Sequence, residues 1–217
     1  LRTRQEILIW TDVGIVSMRF VGAPFVFSFN EVANGPSLIS PNAAVNANNQ
    51  VYFMDNGGFY TYAGSAQRLP CTVLDYVLSD LNQGQAFKVF GAVNNIANEI
   101  MWFYPSGDSL EVDKYVMYNY LEQVWSIGTT TDDFVRTAWD EAYILNNPIA
   151  ASKNSSTNNN NYLFAHEVGH SNDGSDFTAY IESSDFDLDP DGEKYMAVNK
   201  IIPDIEFRDQ QSTTDDV

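Results

Sequence analysis

Apolar and polar residues alternate along this chain in short bursts separated by polar turns, a period-two pattern that predicts β-strands and hairpins. Three copies of one module stand out. The first runs Glu6-Ile-Leu-Ile-Trp-Thr11, turns at Asp12-Val-Gly14 and returns as Ile15-Val-Ser-Met-Arg-Phe20. The second pairs Gln50-Val-Tyr-Phe-Met54 with Phe59-Tyr-Thr-Tyr62 across Asp55-Asn-Gly-Gly58. The third pairs Glu99-Ile-Met-Trp-Phe-Tyr104 with Lys114-Tyr-Val-Met-Tyr-Asn-Tyr120 across a longer turn, Pro105 to Asp113.

Further strands fill out each unit. Pro24-Phe-Val-Phe-Ser-Phe-Asn30 alternates and predicts a third strand beside the first hairpin, closed by Asn34-Gly-Pro36. Residues 37–49 form a polar, Asn-rich approach to the second hairpin. Phe87-Lys-Val-Phe-Gly-Ala-Val93 leads into the third hairpin, and Val124-Trp-Ser-Ile127 follows it as an outer strand. A fourth unit is expected from Ile149-Ala-Ala151 and Asn161-Tyr-Leu-Phe-Ala165, split by an Asn-rich loop from Lys153 to Asn161. The last strands are Phe177 to Ser183 and Lys200 to Phe207. One helix is expected over about 72–82, with Thr72 as N-cap and Val73, Leu74, Val77, Leu78 and Leu81 on one face, stopped by Asn82-Gln-Gly84. The fold class is therefore mainly β: an antiparallel array of hairpins or blades, a partial or complete β-propeller, with one short helix. Units recur every ~40–50 residues, as propeller blades do. The alternative is a β-sandwich with irregular hairpins.

Composition sharpens this. The chain has 217 residues, 44% hydrophobic and 14% aromatic, enough for a packed core. Its formal charge is −18, a sign that repels nucleic-acid phosphates and anionic lipid surfaces. Residues 173–217 hold 13 acids and 3 bases, so more than half of the imbalance sits in the last fifth of the chain. The expected division is a β-blade domain over 1–172 and an acidic strand-turn-strand extension over 173–217 that continues into a longer polypeptide. Cys71 is the only cysteine, which excludes an internal disulfide and a Cys-rich zinc site. The longest apolar run, Phe20 to Phe29, is broken by Pro24 and is too short for a membrane span.

Several segments carry a family resemblance. They are Glu6-Ile-Leu-Ile-Trp-Thr-Asp12, Ser17-Met-Arg-Phe-Val-Gly22, Pro24-Phe-Val-Phe-Ser-Phe29, Arg68-Leu-Pro-Cys-Thr72, Tyr115 to Trp125, Ser183-Ser-Asp-Phe-Asp187 and Ile201-Ile-Pro-Asp204. Together they resemble tail nozzle or tail-tube hub proteins of short-tailed phages, also described as packaged-DNA-stabilising proteins. The resemblance covers most of residues 6–207 and rests on strand and turn wording, with no catalytic motif. It implies a propeller-containing virion tail subunit without enzymatic activity, made in the host cytoplasm. It also implies a homo-oligomeric ring, a hexamer, beneath a portal or adaptor, with phage DNA passing through and no membrane anchor. Family members run to several hundred residues, so the present chain is expected to be an excerpt.

Two motifs invite a metal. His166-Glu-Val-Gly-His170 matches H-E-x-x-H, in which two histidines one helical turn apart hold zinc and the Glu is general base. That chemistry needs a helix. Here the motif follows a strand pattern and precedes the turn-forming Ser171-Asn-Asp-Gly-Ser-Asp176. The extended pattern wants Gly where Asp173 stands, with Gly174 one place late, and only a distant acid such as Glu182 could complete the ligands. In a strand, His166 and His170 would lie about 13 Å apart. The pair is therefore expected at a strand end, and a zinc metallopeptidase is a remote alternative. The second motif is Asp185-Phe-Asp-Leu-Asp-Pro-Asp-Gly-Glu193. Asp187, Asp189, Asp191 and Gly192 fit the start of a calcium loop, but Val198 stands where the bidentate acid belongs. An acidic hairpin turn is the expected reading, with calcium as the alternative; no other cofactor is implied. In a ring, Asp185, Asp187, Asp189, Asp191 and Glu193 become interface or lumen candidates, since an acidic lumen would keep passing DNA from sticking.

Cys71, after Pro70 and before the helix, is expected as a buried structural thiol rather than a nucleophile. Trp10, Trp102, Trp125 and Trp139 either fill contacts between strands or form a sugar-stacking platform. The second choice would make the chain a carbohydrate-binding propeller or fibre domain.

Overall fold

The computed structural model describes residues 1–130, 135–141, 144–145, 147–152, 161–169, 180, 197–200 and 202. The chain divides into two compact units, Leu1–Gly169 and His170–Val217. Apart from Tyr180, Lys200 and Ile202, the strands expected over 177–183 and 200–207 lie outside the described residues, as does the loop over 153–160.

The first unit is four antiparallel sheets in chain order. Sheet 1 is β1 (Ile7–Trp10), β2 (Gly14–Phe20) and β3 (Phe27–Asn34); sheet 2 is β4 (Ala44–Ala47), β5 (Gln50–Asp55), β6 (Gly58–Tyr62) and β7 (Ala66–Leu69). Helix α1 (Leu74–Asp80) and a 3-10 helix (Gln83–Lys88) follow. Sheet 3 is β8 (Phe90–Asn94), β9 (Glu99–Tyr104), β10 (Lys114–Asn119) and β11 (Val124–Thr129), and sheet 4 is β12 (Arg136–Asp140), β13 (Ile149–Ser152) and β14 (Leu163–Ala165). The mainly β, blade-array reading holds, and among the described residues no sheet closes into a barrel. The array is propeller-like and partial.

The sheets stack face to face, and the side-chain period of two decides which residue faces which neighbour. Leu8 and Ile15 of sheet 1 pack with Val51, Phe53 and Tyr62 of sheet 2. The opposite face of sheet 2, with Tyr52, Met54 and Phe59, packs on Ile100, Trp102, Tyr104, Val116 and Tyr118 of sheet 3. The far face of sheet 3, with Ala92, Met101 and Phe103, takes Trp139 of sheet 4. Sheets 2 and 3 are thus covered on both sides, so Val51–Met54 and Ile100–Tyr104 are buried without interruption.

The first strands of neighbouring sheets are drawn close. Gly91 N–H donates to Asn42 C=O at 2.8 Å, and a Cβ at Gly91 would sit 2.8 Å from Val45 Cγ1. Only glycine allows that approach. The helix closes the end of sheet 3: Lys114 Nζ reaches Asp80 at 2.9 Å and the Tyr104 hydroxyl donates to the same carboxylate at 3.2 Å.

Four sequence expectations need correction. The helix begins at Leu74, with Val73 and not Thr72 at its N-cap, and the cap has no side-chain hydrogen bond. It ends at Asp80, because Asn82 caps a separate 3-10 helix by accepting from Gly84 N–H. That 3-10 helix holds Phe87 and Lys88, so β8 starts only at Phe90. Strands β4, β7 and β12 were not anticipated, since Ala44-Val-Asn-Ala47, Ala66-Gln-Arg-Leu69 and Arg136-Thr-Ala-Trp-Asp140 carry too few large apolar residues to announce themselves. Among the described residues, no helix is long and apolar enough to cross a membrane.

Candidate functional site

The first half of the histidine motif sits at the end of β14, as its strand-like approach implies. His166 follows Ala165, and its N–H donates to Pro148 C=O at 2.8 Å. Glu167 and Gly169 then take the left-handed conformation, with φ of 59° and 72°. Two left-handed residues in four preclude the helical turn that the zinc motif requires. His166 Nε2 instead accepts from Arg136 Nε at 2.9 Å, and its ring lies against Trp139 with centroids 4.5 Å apart. Burial, followed by the nearby guanidinium, pulls its pKa down to about 4, so the imidazole is neutral at physiological pH. Arg136 is itself buried and stacks on Phe164 with 4.3 Å from Cζ to the ring centroid. The arrangement anchors β14 to β12. His170 lies outside the described residues, as do Glu182 and the acidic candidates Asp185, Asp187, Asp189, Asp191 and Glu193. Among the described residues, no three His, Cys, Asp or Glu side chains are grouped to hold a metal ion.

Glu167 joins a polar knot at the edge of sheet 3. The buried Asn94 amide donates to Glu167 Oε1 at 3.2 Å and to Glu99 Oε2 at 3.4 Å. Burial and then the Glu167 charge raise the Glu99 pKa. A second knot ties sheet 1 to sheet 2. Glu6 accepts from Arg19 Nε at 2.8 Å, from the Ser17 hydroxyl and from the Tyr62 hydroxyl at 2.8 Å. Burial alone would raise the Glu6 carboxyl, but these donors carry it below its ordinary value. Burial and this hydrogen bond push the Tyr62 phenol up to about 12. Tyr62 and Glu167 could not be foreseen as partners, because they lie 56 and 73 residues from Glu6 and Asn94.

The tryptophans do not form one platform. Trp102 is fully buried and donates to Ala43 C=O at 3.0 Å, and Trp125 stacks on it at 6.1 Å while donating to Pro70 C=O. These two fill the contact between sheets 2 and 3. Trp10 and Trp139 instead border a cavity of about 700 Å³. The first strand of every sheet reaches it: Ile7–Trp10 of β1, Ala44 of β4, Phe90 and Gly91 of β8, and Thr137–Trp139 of β12. This is the axial position in a propeller. Among the described residues that line it, none has a charged side chain. Cys71 is half-buried against the core, and burial pushes its thiol up to about 11, away from the thiolate that a nucleophile needs.

The remaining feature is the outer face of sheet 1. The register places Ile7 beside Met18 and Phe29, Ile9 beside Val16, and Phe20 beside Phe27. All seven point away from sheet 2. Phe20, Phe27 and Phe29 are 72%, 49% and 62% exposed. Glu31 and Arg2, which bridges Ile7, are the charged residues on this face among the described residues, and Arg19, on the opposite face, is tied to Glu6. An apolar sheet face of this kind is a candidate interaction surface.

No model of a known protein family matches this chain, and no curated protein matches it.

Proposed function

We propose that this chain is a non-enzymatic structural subunit that assembles into a ring in the tail of a short-tailed phage virion, where DNA is retained and ejected. The observation that carries the assembly is the uncovered aromatic face of sheet 1 on an otherwise face-to-face stack of sheets. A stack that leaves one apolar flank open gains by adding another sheet there. The phage setting is supported by the strand and turn wording that resembles tail nozzle and tail-tube hub proteins. The strongly acidic composition suits a component that DNA passes without sticking. In this reading the His166, Glu6 and Asn94 clusters are ties between strands and sheets, and no cofactor is needed. The partners are further copies of the chain, six to a ring, with a portal or adaptor above.

Electron microscopy of the particle that carries the chain tests this. The expected result is a ring of blade arrays coaxial with a portal. A free monomer, or a monomer that elutes late on an immobilised glycan, would favour a carbohydrate-binding module. That reading draws on Trp10 and Trp139 at the rim of the axial cavity.

A further inference from the structure

The stack of sheets has two ends, and they are unlike. At one end, sheet 1 presents the bulky residues Phe20, Phe27 and Phe29. At the other, sheet 4 turns Trp139, Ala150 and Phe164 inward, in one register row. Its outward rows are therefore Ala138, Ala151 and Leu163, with Asp140, Ile149 and Ala165 beside them. Leu163 is 75% exposed, and Ala138 and Ala165 are exposed as well. One end is built of large rings and the other of alanines around two aliphatic side chains.

We infer that the large-residue face of sheet 1 in one copy packs on the alanine-rich outer face of sheet 4 in the next copy, so that the chain assembles head to tail. This rests on the self-assembly proposed above and names the surfaces that perform it. Three observations support a second copy as the occupant. The first is continuity. Sheets 1, 2, 3 and 4 already pack face to face within the chain, and sheet 4 of a neighbour would add one more step to the same series. The second is shape, because large rings set into a row of small residues interdigitate as facing sheets do. The third is charge. Copies that each carry −18 repel at most approaches, whereas among the described residues these two faces hold just Arg2, Glu31 and Asp140 between them. The exposed parts of the three rings supply roughly 370 Å², at roughly 200 Å² for a whole ring, of the roughly 800 Å² that each partner buries in a standard interface. Unlike faces make a heterologous contact, which closes into a ring when the rotation per subunit divides a full turn.

Sedimentation velocity on the purified 217-residue chain tests this, with Phe29→Glu and Leu163→Glu as single-face variants. Both positions are largely exposed, and far-UV circular dichroism checks that the fold persists. Phe20→Glu serves as a second sheet 1 variant. The wild-type chain is expected to sediment as an oligomer and each variant as a monomer. An equimolar mixture of Phe29→Glu and Leu163→Glu should yield a dimer and nothing larger, because each variant retains the face that the other lacks. If Leu163→Glu stays oligomeric while Phe29→Glu does not, sheet 1 meets a different surface and the inference fails. If both variants stay oligomeric, assembly uses other faces: the inference fails and the ring reading stands. A wild-type chain that remains monomeric overturns both.

Discussion

Sheets 1 and 3 are built from the same hairpin module, yet they end in opposite environments. In sheet 3 both faces are covered, and every residue from Ile100 to Tyr104 is buried. In sheet 1 only one face is covered. Leu8 and Ile15 are buried, while Ile7, Ile9, Phe20, Phe27 and Phe29 stay open. An aromatic strand therefore does not mean a core strand. What a side chain contributes depends on whether a sheet lies opposite it, and the first module lacks one such sheet.

Substitutions can break this contrast. Trp102→Ala removes the largest fully buried side chain between sheets 2 and 3 and strands its hydrogen bond to Ala43, so it should destabilise the fold by about 3–5 kcal/mol in urea unfolding. Within sheet 1, Leu8→Ala on the covered face should cost about 2–4 kcal/mol. Phe29→Ala on the open face should change the stability of the dissociated chain by less than about 0.5 kcal/mol. Equal losses for Leu8→Ala and Phe29→Ala would show that the outer face is covered within the chain.

Next in size is the tie between sheets 1 and 2. Glu6→Ala leaves the buried hydroxyls of Ser17 and Tyr62 without their acceptor, and should cost about 1–3 kcal/mol. The folded-state pKa of Glu6 is lowered, so its contribution is present above the unfolded value and is lost as pH falls through the folded one. Glu99, at the edge of sheet 3, is opposite in sign. Its raised pKa means that ionisation opposes folding as pH rises, so Glu99→Gln should leave stability unchanged at low pH and raise it slightly near neutrality. Urea midpoints of both variants across acidic to neutral pH distinguish the two signs.

His166 is read by titration rather than by stability. Its pKa falls from 6.5 to about 4 on folding, so the neutral imidazole stabilises the fold above pH 6.5, and that contribution is lost as pH drops toward 4. In a His170→Gln variant, the one remaining imidazole should titrate near 4 by proton NMR. A midpoint near 6.5 would mean that His166 is exposed and that the Arg136 contact does not form.

Much of the fold was legible because strands with large apolar residues mark themselves: all three hairpins fall where the alternation places them. Strands β4, β7 and β12 were hidden because alanine, asparagine and arginine carry no strand signal of their own, and their pairing partners hold them in place. The helix was found with its buried face correct, Val77 and Leu81 included, but its cap was misplaced by one residue and its end by two. The His166 motif was readable as a strand end because its flanks are strand and turn. Its actual partner, Arg136, is thirty residues away and invisible to local pattern. The Phe20, Phe27 and Phe29 face was implicit in the alternation of Phe25-Val-Phe-Ser-Phe29. Only the stacking order of the sheets reveals that no other described sheet covers it.

The most direct measurement of the central claim is a disulfide test between the two ends of the stack. In a Cys71→Ser background, Phe29→Cys and Leu163→Cys place one thiol on each outer face, and mild oxidation links cysteines only when their Cα atoms come within about 7 Å. The account predicts cross-links between copies, seen as a ladder of multimers on a denaturing, non-reducing gel, and none for either single cysteine alone. A cross-link within one chain, or no cross-link at all, would contradict it.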